Sequence, residues 1–443
     1  MRSDPALRKR GIAFLVHLAV VAWWVLVVQA VSSGRVVGQV GSAGGDGATG
    51  GTVLLVTFGP GAKVYERFGH NALWFRDSLT GDGPAYDFGR FSFEEPGFVL
   101  NLARGRMSYW MGREASGAAL INAYLERGRS VWLQRLAIPP AAAGAMRDSL
   151  EAQLARDGGR YRYDYYRDNC STRIRDAIDL ATGGAVAAQL QSAPGGTTLR
   201  FHTRRSFESI LPVYTGVMVA LGPSVDRPIS KWDEAFLPME LQEHLRGVTL
   251  TDSAGRQHPL ILSETAVAET DAYRVPDAPS GAPKLILPLI GVALGLSAAA
   301  TGRRASGSAG ARRAFLVLAG LWALAGTLLG FVLLWFWGFT DHVVAHRNAN
   351  VFQFNLLSLA LLVALSRLAA GRPRADRSAR LFALVVVVGS VAGPVIELLL
   401  RWGQQNAEVT GLALPAHLGV YLGLVGWNAA SGPAPSAAPP APR

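Results

Sequence analysis

Tyr163-Asp164-Tyr165-Tyr166-Arg167-Asp168-Asn169-Cys170-Ser171-Thr172-Arg173 contains the single cysteine of this 443-residue chain. Asp168 and Asn169 offer helix N-cap chemistry directly before it. Ile174, Ile178 and Ala181 then recur on one helical face, and Gly183-Gly184 closes the segment. This spacing places Cys170 in the first turn of a helix. A lone cysteine forms no internal disulfide and builds no cysteine-rich zinc site. Paired with a histidine from elsewhere, it is a candidate nucleophile. His70 is that candidate, in Arg67-Phe68-Gly69-His70-Asn71-Ala72-Leu73-Trp74-Phe75, and it precedes the cysteine in the chain.

Working outward, Val53 to Phe58 is a short apolar run and reads as a buried strand. His70 to Phe75 reads as a second strand and Tyr86 to Phe93 as a third, separated by the turn residues Asp82-Gly83-Pro84. Ser130 to Ala137 reads as a fourth, closed by Pro139 and Pro140. Ala118 to Arg127 and Ala141 to Asp157 carry helical spacing. The basic cluster Arg200, His202, Arg204 and Arg205 reads as a solvated face, with lipid phosphates as its alternative partner.

Half of the residues are apolar, and they concentrate at the N-terminus and after Lys284. Gly11 to Val31, behind Arg2, Arg8, Lys9 and Arg10, is long enough to cross a bilayer. It reads as a retained anchor, with a cleaved signal peptide as the alternative. Four or five further spans follow: Leu285–Ala300, Ala314–Gly338, Val351–Leu365, Leu381–Leu400 and, more weakly, Leu412–Trp427. Arg303, Arg304, Arg312 and Arg313 fill one loop, and Arg367, Arg372, Arg374, Arg377 and Arg380 another. The loop between, Phe339 to Asn350, carries only Arg347. Arginine-rich loops face the cytoplasm, which places Ser32 to Pro283 outside it. The net charge of +11 is then largely topology charge against an anionic leaflet, not a nucleic-acid signal. The expected organisation is an anchor or signal at 1–31, a Gly/Ser/Ala-rich linker at 32–51, a catalytic domain at 52–283, a membrane domain at 284–428 and a Pro/Ala-rich disordered tail at 429–443.

The thiolate is the reactive form of cysteine, and a free thiol has a pKa of about 8.5. A helix N-terminus, a nearby His70 and Arg173 one turn along are three devices that favour the thiolate. Backbone N–H groups of Cys170 and its neighbours at the helix start are candidates for an oxyanion hole. His70 needs a partner that fixes its tautomer. Asp87, on the next expected strand, is the first choice, and Asp168, Asn71 and Glu66 compete.

Three segments carry a resemblance: Arg67-Phe68-Gly69-His70, Tyr86-Asp87-Phe88-Gly89 and Asp168-Asn169-Cys170-Ser171-Thr172-Arg173. Over roughly Val53 to Pro238 the chain resembles the periplasmic domain of the Lnb-type bacterial lipoprotein N-acyltransferases. Thr340-Asp341-His342 and Asn348-Ala349-Asn350 resemble a polar signature that the family carries outside the bilayer. The pattern departs at Asn355-Leu356, where a proline is expected after the asparagine. The resemblance implies an α+β, circularly permuted papain-like (NlpC-like) domain joined to a transmembrane helical bundle, and permutation accounts for histidine preceding cysteine. It implies an inner-membrane, multi-pass enzyme with its catalytic domain on the periplasmic side. Its substrates would be a phospholipid acyl donor and a diacylated lipoprotein acceptor, with no cofactor, no metal and no nucleic acid. Cys170, His70 and Asp87 would be catalytic. Asn169, Arg173, Asn71 and Tyr163 would support them, with Asp341 and His342 from the outer loop.

Two other readings share these residues. A membrane-tethered papain-like amidase or peptidase would use the same pair but hand the acyl group to water. A non-catalytic membrane scaffold would make Cys170 a core residue. Several spans favour a lipid substrate over a cell-wall peptide, for which one anchor suffices.

Overall fold

The computed structural model describes residues 51–427. The Gly11–Val31 run, the linker up to Gly50 and the tail at 429–443 lie outside the described residues. The chain divides into two compact units. One runs up to Ile210 and resumes from Asp226 to Pro279; the other takes Leu211–Val225 and everything from Ser280 onward.

The first unit is built on a seven-stranded antiparallel sheet. Its strands are β1 (Thr52–Phe58), β2 (His70–Arg76), β3 (Ala85–Arg90), β4 (Ser108–Glu114), β5 (Val131–Leu136), β6 (Arg160–Arg162) and β11 (Ile261–Ala268). The order is β11-β5-β1-β2-β3-β4-β6. Two small ribbons lie outside it: β7 (Pro194–Thr198) with β8 (Pro228–Ser230), and β9 (Thr249–Thr251) with β10 (Gln257–Pro259). The four strands expected from sequence are present. β4, the three-residue β6 and β11 join them. The apolar alternation of β4 is broken by Gly112, and β11 exposes most of its side chains, so neither carries a clear period-two signal.

Central strands are apolar on both faces because both faces are covered. Successive side chains alternate sides. Val53, Leu55, Leu73, Phe75, Tyr86 and Phe88 pack with Met146 and Leu150 of the Pro140–Asp157 helix and with Ile174 and Ile178 of the Cys170–Ala181 helix. Leu54, Val56, Phe58, Ala72 and Trp74 pack with Leu120 and Ile121 of the Gly117–Leu125 helix. Ile174 and Ile178 are fully buried. Each contributes about 1.5–3 kcal/mol by leaving water, and together they press the cysteine-bearing helix onto the sheet.

The basic cluster is not a solvated face. Arg200, His202, Arg204 and Arg205 all lie buried on the Leu199–Phe207 helix. Arg200 holds Asp226 with two hydrogen bonds, at 2.7 and 3.0 Å, and Arg205 pairs with Glu240. Charges that look like a surface run in sequence are instead neutralised by acids far along the chain.

The second unit contains five helices long and apolar enough to cross a membrane: Ala282–Arg304, Ala309–Phe339, Ala349–Ala369, Ala375–Leu400 and Ala407–Val425. The first and last approach closely through small residues. A Cβ at Gly295 would lie 2.2 Å from the carbonyl oxygen of Pro415, so only glycine fits there. Asn348 and Asn350 are fully buried. Their amides donate to the carbonyls of Val219 and Met218, and Gln404 and Asn406 donate to their side-chain oxygens. This polar clamp ties the apolar Leu211–Ala220 helix to the start of the third span.

Candidate active site

Cys170 is the first residue of its helix, and Asn169 is the N-cap. The Asn169 side-chain oxygen accepts from the N–H groups of Ser171 and Thr172 at 2.9 and 3.0 Å. Its amide donates to the carbonyls of Tyr165 and Phe236, both at 2.9 Å. Ser171 donates to the carbonyl of Ala235 at 2.7 Å. The residues on either side of Cys170 are therefore bolted to the Ala235–Phe236 segment, which leaves the thiol as the outward group of the first turn. The neighbouring N–H groups of Ser171 and Thr172 are taken by the cap. An oxyanion hole built from them, as expected from sequence, is not available.

His70 opens β2 and Asp87 lies in β3, where it pairs in register with Ala72. Strand parity sends both side chains to the same face. His70 Nε2 lies 3.1 Å from Asp87 Oδ2. The Cys170 sulfur lies close enough to the ring to favour its charged form. Cys170 reaches this end of the sheet at Gly89. A Cβ there would lie 3.5 Å from that of Cys170, and φ is +89°, a conformation that favours glycine.

Around this line the charges are ordered. Arg90 donates to Asp87 Oδ1 at 2.7 Å and also pairs with Glu114 at 2.8 Å, crossing over Gly112, where any side chain would collide with it. Burial pushes the Asp87 carboxyl up, but His70 and Arg90 outweigh it and hold the group below its ordinary value. For His70, burial again works against the charged form. The Tyr124 hydroxyl, the Cys170 sulfur and the Asp87 carboxylate together outweigh it and keep the imidazole well above its ordinary value. The ring lies parallel to that of Tyr124, with centroids 6.0 Å apart, and Arg129 covers Tyr124 at 4.7 Å. The site thus favours a protonated imidazole.

The competitors for His70 have other tasks. Asp168 holds Arg173 with two hydrogen bonds, at 2.5 and 2.8 Å. Asn71 donates to Thr57 at 2.9 Å, on the opposite face of β2 from His70. Glu66 caps the short turn that starts at Val64. Arg173, expected to add charge beside Cys170, is committed to Asp168 and stacks on Tyr161 at 3.9 Å. Tyr163 is close to Cys170, and its ring stacks on Tyr109 at 4.3 Å. Asp341 and His342 precede the turn Val343–Ala345 and belong to the second unit. Two contributors were missed. Arg90 lies three residues after Asp87 and could have been suspected from that spacing. Tyr124 has no such local signal, because a distant helix delivers it.

Among the described residues one group can hold a metal ion: Glu234, Glu240 and His244, whose ligand atoms lie within 4.8 Å of one another. Arg205 already meets the charge of Glu240, and Thr197 and His244 donate to Glu234.

An α+β domain with a cysteine, histidine and aspartate aligned at one sheet end, followed by five helices able to cross a bilayer, defines a multi-pass membrane protein. Residues 49–208 match the family model described as the Lnb N-terminal periplasmic domain. That periplasmic domain and the five helices together fit the Lnb-type family that the motifs resemble. No curated protein and no solved structure matches the chain.

Proposed function

We propose that this chain is a lipoprotein N-acyltransferase of the inner membrane, with Cys170 as nucleophile, His70 as proton carrier and Asp87 as the group that orients His70. The observation that carries the reading is the His70–Asp87 pair at 3.1 Å with the helix-starting Cys170 at the same end of the sheet, inside an Lnb-type periplasmic domain on a chain with five potential spans. The proposed fold relationship is to circularly permuted papain-like enzymes. A cysteine-starting helix against an antiparallel sheet bearing histidine supports it.

The chemistry follows from these groups. His70 holds the thiol proton, and the Cys170 thiolate attacks the ester carbonyl of a phospholipid. The oxyanion draws on the N–H of Cys170 at the helix start. As the C–O bond breaks, His70 returns its proton to the leaving glycerol oxygen. A thioester on Cys170 and a lysophospholipid result. The free α-amine of a diacylglyceryl-modified N-terminal cysteine then attacks the thioester carbonyl. His70 accepts the amine proton, the amide forms, and Cys170 leaves as thiolate. This is ping-pong chemistry between two membrane-bound substrates, and tethering the domain to spans raises their effective concentration.

The purified full chain, given a phospholipid with a labelled acyl chain and a diacylated lipopeptide bearing a free α-amine, should yield N-acylated lipopeptide and lysophospholipid in equal amounts. Release of labelled fatty acid with no acylated peptide would instead assign the site to a hydrolase.

A further inference from the structure

The segment between β3 and β4 has a composition that its surroundings do not explain. It contains a short helix, Phe98–Arg104, framed by Gly97 and Gly105, both with positive φ. Phe98 and Leu102 face the core of the first unit. Val99 and Leu100 face outward, 47 % and 37 % exposed. Asn101 and Arg104 are its polar side chains, and apolar residues occupy both its inward and its outward sides. Of the seven exposed large apolar side chains described in the first unit, four fall here: Tyr65, Phe93, Val99 and Leu100. Scattered singly they would need no explanation, but gathered on one surface they mark a contact site.

Two observations identify the occupant. The first is charge. Lys63, Arg104, Arg106 and Arg162 are exposed around this surface, whereas of its nearby acids Glu95 is ion-paired with Arg160 at 2.7 Å, Glu66 lies beside Lys63 and Glu94 is exposed. An apolar patch with a basic rim suits the boundary between acyl chains and anionic headgroups. The second is continuity with the candidate active site. Phe93 meets Phe91 at 5.1 Å, Phe91 stacks on Tyr109 at 5.0 Å, and Tyr109 stacks on Tyr163, the neighbour of Cys170. An unbroken row of rings joins the exposed patch to the thiol.

We propose that residues 93–106, with Tyr65, form an interfacial membrane anchor that sinks Phe93, Val99 and Leu100 into the headgroup–acyl boundary of an anionic phospholipid bilayer. The anchor is distinct from the five spans. It would hold the mouth of the aromatic row at lipid level.

The test uses the full chain carrying Cys170→Ala, with one new cysteine from Val99→Cys or, as control, Ser253→Cys on the exposed turn before β10. Each is labelled with an environment-sensitive NBD probe and placed in phospholipid nanodiscs containing lipids with a nitroxide at the fifth or twelfth acyl carbon. The probe at 99 should emit to the blue of that at 253 and be quenched at least about two-fold more strongly, the shallow nitroxide acting better than the deep one. Phosphatidylglycerol should strengthen the quenching, and Arg104→Glu with Arg106→Glu should remove that gain. Equal quenching at 99 and 253 leaves the segment in water and overturns the anchor. A blue shift without nitroxide quenching buries it against protein and also overturns it. Because Cys170→Ala holds the chemistry off, the result stands or falls separately from acyl transfer.

Discussion

Asp87 Oδ2 lies 3.1 Å from Nε2 of His70, and the same carboxylate accepts from Arg90 through its other oxygen. This divides the labour of one buried acid. One oxygen fixes the histidine tautomer and the other is neutralised by arginine. The ring is thereby held at the Cys170 end of the sheet. Asp87→Asn keeps the shape but removes the charge that helps raise the imidazole. kcat should fall by about 10²–10⁴-fold. The alkaline limb of the kcat/KM profile should move to lower pH, since losing a group that favours imidazolium lowers the His70 value. A profile that drops in height but keeps its limb would show Asp87 to be structural only.

The raised His70 value also bears on stability. Its contribution is fully present below the ordinary histidine value, about 6.5, and is lost as pH rises through the higher folded value. The difference in thermal unfolding between the native chain and His70→Gln should therefore be greatest in mildly acidic buffer and shrink on the alkaline side. A difference that grows with pH would contradict the protonated ring.

Asn169 contributes both a cap and two donated hydrogen bonds. Asn169→Ala should cost about 2–4 kcal/mol, from the lost cap together with carbonyls left unsatisfied. Asn169→Asp keeps the cap oxygens but not the donors, so its melting temperature should fall between the two. Activity should follow the same order, because the cap aims Cys170.

Gly89 is the sheet residue that faces Cys170. Gly89→Ala forces a side chain into the left-handed region at a cost of about 1–2 kcal/mol and brings a methyl against the cysteine. Acyl transfer should fall by more than the rate of Cys170 alkylation by iodoacetamide, because the small reagent needs less room. Equal losses would point to general unfolding.

The sequence reading succeeded where the signal was local. Cap residues before Cys170, strand runs at β1 and β2 and long apolar stretches each announce themselves within a few residues. Asp87 was reachable because neighbouring strands share a face. What escaped depended on pairing at a distance. The arginines near residue 200 are buried because Asp226 and Glu240 come to meet them. The N–H groups next to Cys170 are unavailable because one side-chain oxygen takes two of them. Tyr124 stacks on His70 only because its helix crosses the sheet. None of these has a sequence period.

The central claim is that Cys170 carries an acyl group during turnover. Intact mass measurement of the chain purified from membranes tests it most directly. The account predicts a population heavier by one acyl chain, restored to the unmodified mass by neutral hydroxylamine and absent in Cys170→Ala. An unmodified chain from membranes that retain donor lipid, or an adduct that persists in Cys170→Ala, would contradict it.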